Sequence, residues 1–165
     1  MVFLGIDPGT AITGYGFIRE EGDTLQAVAY GAITTPSDWP LPERLAALQR
    51  ELSRLIALHR PTSAAVEQIF FSRNARTALA VGHARGVILL TLAQAGLKVA
   101  EYTPLEVKQA VAGYGRADKK QMQEMVRVLM GLPDAPKPDD VADALAVAIC
   151  HLHSSRIGGL VEASG

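Results

Sequence analysis

Three places in this chain put carboxylates where a carboxylate is costly. Asp7 ends the apolar run Val2-Phe3-Leu4-Gly5-Ile6, just before a Pro8-Gly9 turn, and Glu67 ends the small-residue run Ser63-Ala64-Ala65-Val66. Asp143 lies inside Val141-Ala142-Asp143-Ala144-Leu145-Ala146, three residues after Asp140 and four after Asp139. Desolvation penalises the ionised form of such groups unless a cation or hydrogen-bond donors meet it. An Asx-turn accounts locally for an Asp before Pro-Gly, and the helix dipole favours acids in a first turn, which accounts for Asp139 and Asp140. Neither explains the strand in front of Asp7, nor an acid at Asp143, nearly a turn further in among Ala, Leu and Val. Carboxylate oxygens gathered at one place are ligands for a hard divalent cation. These places therefore point to a metal or phosphate site.

The elements that must position these groups follow from periodicity. Val2–Asp7, the Pro-Gly turn and Tyr15-Gly16-Phe17-Ile18 read as an antiparallel hairpin, and residues 23–34 as a third strand across the turn near Gly22. After a proline-bounded connector, Leu45, Leu48, Leu52, Leu55 and Ile56 recur at helical spacing, with Arg44, Arg50, Glu51 and Arg54 on the other face, until Arg60-Pro61 stops the helix. Residues 63–67 follow as a strand. A strand–helix–strand crossover sets strands of equal direction side by side, and ligands bind at the C-terminal edge of such sheets. Asp7 and Glu67 are therefore expected at one edge, where a divalent cation removes their mutual repulsion.

The loop after Glu67 holds two adjacent aromatics, Phe70 and Phe71, and one of them is suited to stack on an exposed base. Asn74 is an N-cap for a helix to about residue 95, in which Ala75, Ala78, Gly82 and Gly86 form a small-residue stripe. Glycine inside a helix costs ~1 kcal/mol against alanine, so the stripe points to close approach by another helix, and the same helix of a second subunit is the preferred partner. Residues 97–102 form the fifth strand, and Thr103-Pro104 opens a short helix carrying Lys108. A glycine-flanked loop with Arg116 follows, and Asp118 with Gln121 caps a helix carrying Lys119 and Lys120. These helix starts, with Arg73 and Arg76 earlier, are expected phosphate contacts. The last helix is expected from Pro138 to about His153, with residues 154–165 as a disordered tail beyond a single domain, 1–153. His151-x-His153 is too near that expected end, and too poorly spaced, for a metal site.

Composition bounds the rest. The chain has 165 residues, 48% hydrophobic and 20% charged, which is ordinary for a globular protein. The longest apolar runs are interrupted by charges or glycines, so no membrane span is expected. The single cysteine, Cys150, reads as a small buried hydrophobe, and cysteine usage and the missing signal peptide fit a cytoplasmic protein. The net charge of −1 hides a segregation: residues 1–72 hold 5 Lys+Arg against 8 Asp+Glu, residues 73–127 hold 9 against 4, and residues 128–165 hold 2 against 5. A basic middle between acidic ends suits a protein that gathers carboxylates at a site and offers cations to phosphates around it.

Taken together, Gly5-Ile6-Asp7-Pro8-Gly9 with Gly14-Tyr15-Gly16, Glu67-Gln68-Ile69-Phe70, Ala84-Arg85-Gly86 and Asp140-Val141-Ala142-Asp143-Ala144-Leu145-Ala146 closely resemble the RuvC family of bacterial Holliday-junction resolvases, in order and spacing, from about residue 2 to 153. The resemblance implies an α/β RNase H-like fold, a five-stranded mixed sheet flanked by helices. It implies a homodimer that nicks two strands of like polarity at a four-way DNA junction, with Mg²⁺ or Mn²⁺, two ions per site, alongside the branch-migration proteins RuvA and RuvB. Carried over, the family's metal-binding carboxylates fall on Asp7, Glu67, Asp140 and Asp143, its site aromatic on Phe70 and its DNA-binding lysines on Lys108 and Lys119. Two hard cations ~4 Å apart activate water and stabilise charge on the attacking and leaving oxygens, with Asp7 expected to bridge them. Two other readings share the fold: an actin-like ATPase, whose Asp-x-Gly-Thr hairpin cradles phosphate but which needs a second domain, and a junction-binding module without catalysis, which has little reason to keep four carboxylates.

Overall fold

The structure is a computed structural model that describes residues 1–68 and 74–164, with side chains as far as residue 158. Strand β1 (Val2–Asp7) is the middle of a five-stranded sheet ordered β3-β2-β1-β4-β5. β2 (Ile12–Glu21) and β3 (Thr24–Thr34) run antiparallel in sequence from it, while β4 (Ser63–Glu67) lies parallel to β1 and β5 (Lys98–Tyr102) parallel to β4. This is the mixed sheet that the crossover pattern predicts. Helices α1 (Leu41–His59) and α2 (Ala75–Gln94) cover one face; α3 (Pro104–Ala112), α4 (Lys119–Met130) and α5 (Asp139–Ser164) cover the other.

Alternation along the strands decides what each face receives. Leu4, Ile6, Ala64 and Val66 enter the α1/α2 core with Leu48, Leu52 and Ile88, whereas Phe3 and Ala65 enter the α3–α5 core with Val147 and Ile149. By the same two-residue period Gly5, Asp7 and Glu67 face α5. That helix is apolar all round: Val141, Ala142 and every residue from Ala144 to Leu152 are buried. Cys150 is among them, and burial pushes its thiol up to about 11, as befits a core residue.

Two expectations need correction. The segment after Ser154 is not a disordered tail: α5 runs on to Ser164. Elongating a helix already held by packing costs little, and the Arg156 guanidinium ties the extension to Glu20 of β2, its Nε donating to Oε2 at 3.0 Å. His151 consequently lies mid-helix, not at a frayed end, with Nε2 2.8 Å from Ser63 Oγ, Nδ1 2.9 Å from the Tyr102 hydroxyl and its ring edge-on to Phe3. It is a structural tie between α5 and the strands. The second correction concerns α2, which is long and apolar enough, by length and composition, to cross a membrane. Its glycines do not lower hydropathy as charges would. Ala84, Ile88, Thr91 and Leu92 nonetheless pack into the sheet's core, so one side of α2 belongs to the globular layer.

Candidate active site

The register of β1 on β4 pairs Gly5 with Ala65 and Ile6 with Val66. One step further brings Asp7 and Glu67 abreast at the C-terminal edge. The other acids arrive on α5, and bare glycines set how close that helix comes. A Cβ on Gly5 would meet the Ala144 carbonyl and the Ala148 amide, one on Gly14 the Asp140 carbonyl, and one on Gly16 the Leu145 side chain. Helix backbone therefore lies against strand backbone, and Asp140 and Asp143 come to rest over Asp7. The turn between β1 and β2 is closed on itself. Gly9 N–H donates to Thr13 Oγ1 (3.3 Å), the Thr13 hydroxyl donates to the Gly9 carbonyl (2.6 Å), and the Thr10 hydroxyl donates to the Ala80 carbonyl of α2 (2.7 Å). Its hydroxyls serve the fold, not a phosphate cradle, which counts against the ATPase reading.

The carboxyls feel one another strongly. Burial, then the charges of Asp143, Glu67 and Asp140 and a hydrogen bond with Asp140, pushes the Asp7 carboxyl up to about 8. Glu67 is raised by burial and by Asp143, against the pull of Lys108. Asp143 is raised by burial, with Lys119 pulling the other way and Asp140 and Asp139 adding to the rise. Among the described residues no three His, Cys, Asp or Glu groups converge as a ready-made metal cage. Lys108 and Lys119 offset the repulsion among these carboxyls only in part, since Glu67 and Asp143 both remain raised. The donor set itself fits a hard divalent cation: all oxygen, anionic, at one edge, and carrying an unrelieved charge conflict. Mg²⁺ keeps several waters, so it needs no closed protein cage.

Basic residues line one flank. A cleft of about 250 Å³ runs between Glu67, Asp143, Lys108, Lys119 and Met122. Capping boxes at Thr103/Glu106 and Asp118/Gln121 fix the starts of α3 and α4, and so the stems from which the two lysines reach. Lys119 Nζ stands 3.2 Å from Asp139, which thus has a partner that dipole reasoning missed. Lys120 turns away into a separate cavity with Tyr114 and Glu124. Arg116 is exposed between α3 and α4, and Arg76 is exposed in the first turn of α2. Phe70, Phe71 and Arg73 lie outside the described residues.

The small-residue stripe of α2 faces out of the subunit. Among the described residues a Cβ on Gly82 or Gly86 would meet nothing within 4 Å, Ala75 is exposed, and Leu79 and Leu90 on the same helix are 62% and 54% exposed. Ala78 departs from the pattern and is half-buried. Sequence reasoning missed the site role of Gly14 and the position of Arg85, whose guanidinium reaches the Glu67 carbonyl. The Gly14-Tyr15-Gly16 and Ala84-Arg85-Gly86 motifs were the available signals.

Comparison with known proteins adds the family. A family model described as crossover junction endodeoxyribonuclease RuvC matches residues 3–151. The chain is 62% identical over 158 residues to the crossover junction endodeoxyribonuclease RuvC of Heliobacterium modesticaldum, covering 96% of this chain and 98% of that protein. It is 56% identical over 164 residues to that of Syntrophomonas wolfei, covering 99% and 95%. Among solved structures it resembles Thermus thermophilus RuvC in complex with Holliday junction substrate, with 37% identity, a TM-score of 0.91 and 96% of both chains covered. The sheet and its helices are the RNase H-like fold.

Proposed function

Because this chain belongs to the RuvC family of crossover junction endodeoxyribonucleases, we propose that Asp7, Glu67, Asp140 and Asp143 hold the divalent cations with which it cuts four-way DNA junctions. The chain is a Holliday-junction-resolving endonuclease of recombination and repair. The observation that supports this site most is the placement of four carboxylates from β1, β4 and α5 at one sheet edge, where burial and then the charges of the other three push the Asp7 carboxyl up to about 8.

Two Mg²⁺ or Mn²⁺ ions bound there supply positive charge to the scissile phosphate and acidify the attacking water. The chain's own residues do the rest. Asp7, half-buried on the central strand, would hold the cations together with Glu67, Asp140 and Asp143. Lys108 and Lys119, across the cleft, hold phosphates of the substrate, joined by Arg76, Arg116 and Lys120 further out; Arg73, by its place in the sequence, is a further phosphate contact. Phe70, three residues beyond Glu67, stacks on a base freed near the cut; stacking returns ~1–3 kcal/mol per base, against the few kcal/mol that unstacking costs. The outward stripe of α2 pairs with its copy in a homodimer, which sets two sites for paired nicks in strands of like polarity. RuvA and RuvB deliver the junction.

The test is cleavage of a mobile synthetic four-way junction, mapped at nucleotide resolution, with and without Mg²⁺. Symmetric nicks that need Mg²⁺ and vanish in Asp7→Asn are expected. Tight junction binding without cleavage in the presence of Mg²⁺ would instead mark a binding module.

A further inference from the structure

Arg85 lies mid-way along α2, between the open positions Gly82 and Gly86, yet its side chain is only 14% exposed because it turns toward the sheet. Nη1 donates to the backbone carbonyl of Glu67 at 2.6 Å, and Nη2 is ion-paired with the Glu101 carboxylate of β5. One planar fork thus joins α2, β4 and β5. It grips β4 where the sheet lets go. The β1–β4 pairing ends at Ile6 and Val66, so Glu67 keeps only β5 as a strand neighbour, opposite Tyr102. The ladder closes one residue later, where Gln68 N–H donates to the Tyr102 carbonyl at 2.8 Å.

A guanidinium suits this task because its donors are fixed in a plane and it does not lose its proton. Its charge is already met by Glu101, and the charges that act on the Glu67 carboxyl are those of Asp143 and Lys108. Its influence on Glu67 is therefore geometric.

We infer that Arg85 is a positioning residue: by clamping the Glu67 carbonyl it fixes the end of β4 so that the Glu67 carboxylate is aimed at the cation site. This rests on the reading of Glu67 as a cation ligand. It also makes α2, the helix with the outward stripe, a fixed support of one catalytic carboxylate.

The test compares the full-length chain with Arg85→Met, which keeps the aliphatic stem, Arg85→Lys, which keeps the charge without the fork, and Glu101→Gln. Two midpoints are read: the Mg²⁺ concentration at half of the Mg²⁺-induced rise in Tm without DNA, and that at half-maximal cleavage of a synthetic four-way junction. Residues that orient metal ligands from behind are worth about 10- to 100-fold in metal affinity, so both midpoints should rise by that factor in Arg85→Met and Arg85→Lys, and by less in Glu101→Gln. Cleavage at saturating Mg²⁺ should recover, and junction affinity without Mg²⁺ should stay unchanged. If Arg85→Met does not fold, Arg85→Lys and Glu101→Gln decide by the same midpoints. Unmoved midpoints in folded variants, or a loss that saturating Mg²⁺ does not restore, overturn the positioning role. A wild-type chain with neither a Mg²⁺-dependent Tm nor cleavage overturns the metal site itself, which keeps the two failures apart.

Discussion

Asp139 and Asp140 are neighbours with different work. Asp140 shares a hydrogen bond with Asp7, while Asp139 faces outward to Lys119. Asp140→Asn is expected to slow cleavage by on the order of 100-fold or more, the scale of losing one charge-stabilising group at a reacting centre, with junction binding retained. Asp139→Asn should cost little, because an exposed pair contributes about 0–1 kcal/mol. Equal losses in single-turnover cleavage would reverse the assignment. Asp7 carries a pH signature as well. Its folded pKa lies above its ordinary one, so the folded state binds the proton more tightly, and the metal-free protein loses stability as pH climbs from 3.8 towards about 8. Mg²⁺ should raise Tm by several degrees more at pH 8 than at pH 5, since ~1 kcal/mol moves Tm by about 2–4 °C in a chain of this size. In metal-free buffer at pH 8, Asp7→Asn should melt above wild type. Scanning calorimetry reads both, and a metal-free Tm that is flat between pH 5 and 8 would contradict the shift.

At the scale of elements, the decisive contact is α5 lying on β1 and β2 without intervening side chains. Gly14 opposes the Asp140 carbonyl, and Gly5 opposes Ala144 and Ala148. Adding one methyl at either position overpacks the junction, at a cost of about 1–3 kcal/mol. The two should differ in function. Gly14→Ala displaces the turn of α5 that carries Asp140, so its cleavage rate should fall well beyond what its Tm explains, whereas Gly5→Ala acts deeper along the helix and should lower mainly Tm. Paired measurements of Tm and of cleavage at a temperature where both variants are fully folded check this. Similar cleavage in both would mean that helix height over β2 does not set the site.

For the whole molecule, the segregated charge now has a place. The basic block 73–127 spans α2 to α4, and its Lys108 and Lys119 line the cleft beside the acids. Outside that cleft, α2 has an apolar face that no described residue of the subunit covers. Gly82→Leu should hold a partner helix off that face. Sedimentation should show more monomer, and paired nicking should fail before single-strand cleavage does, because each site's carboxylates come from one chain. A variant that stays fully dimeric would put the dimer face elsewhere.

What the sequence determined by itself is what a few neighbouring residues encode. Strand period, the Pro-Gly turn, the caps at Asn74 and Asp118, the helix start at Thr103-Pro104, and acids ending two parallel strands all lie within a turn or a strand of the residues that enforce them, and the structure keeps each. The order of motifs carried the family. What only the tertiary structure decided is how far apart the elements lie and which way long side chains turn. Gly14 and Asp140 meet across 126 positions of chain, and no local pattern states that a missing Cβ there sets the height of a helix. Arg85 looks like any arginine on a helix until the end of β4 comes within its reach. His151 and the run of α5 past Ser154 were misread for the same reason: local composition weighs propensity, whereas Ser63, Tyr102 and Glu20, distant in sequence, supply the contacts that hold that helix in place.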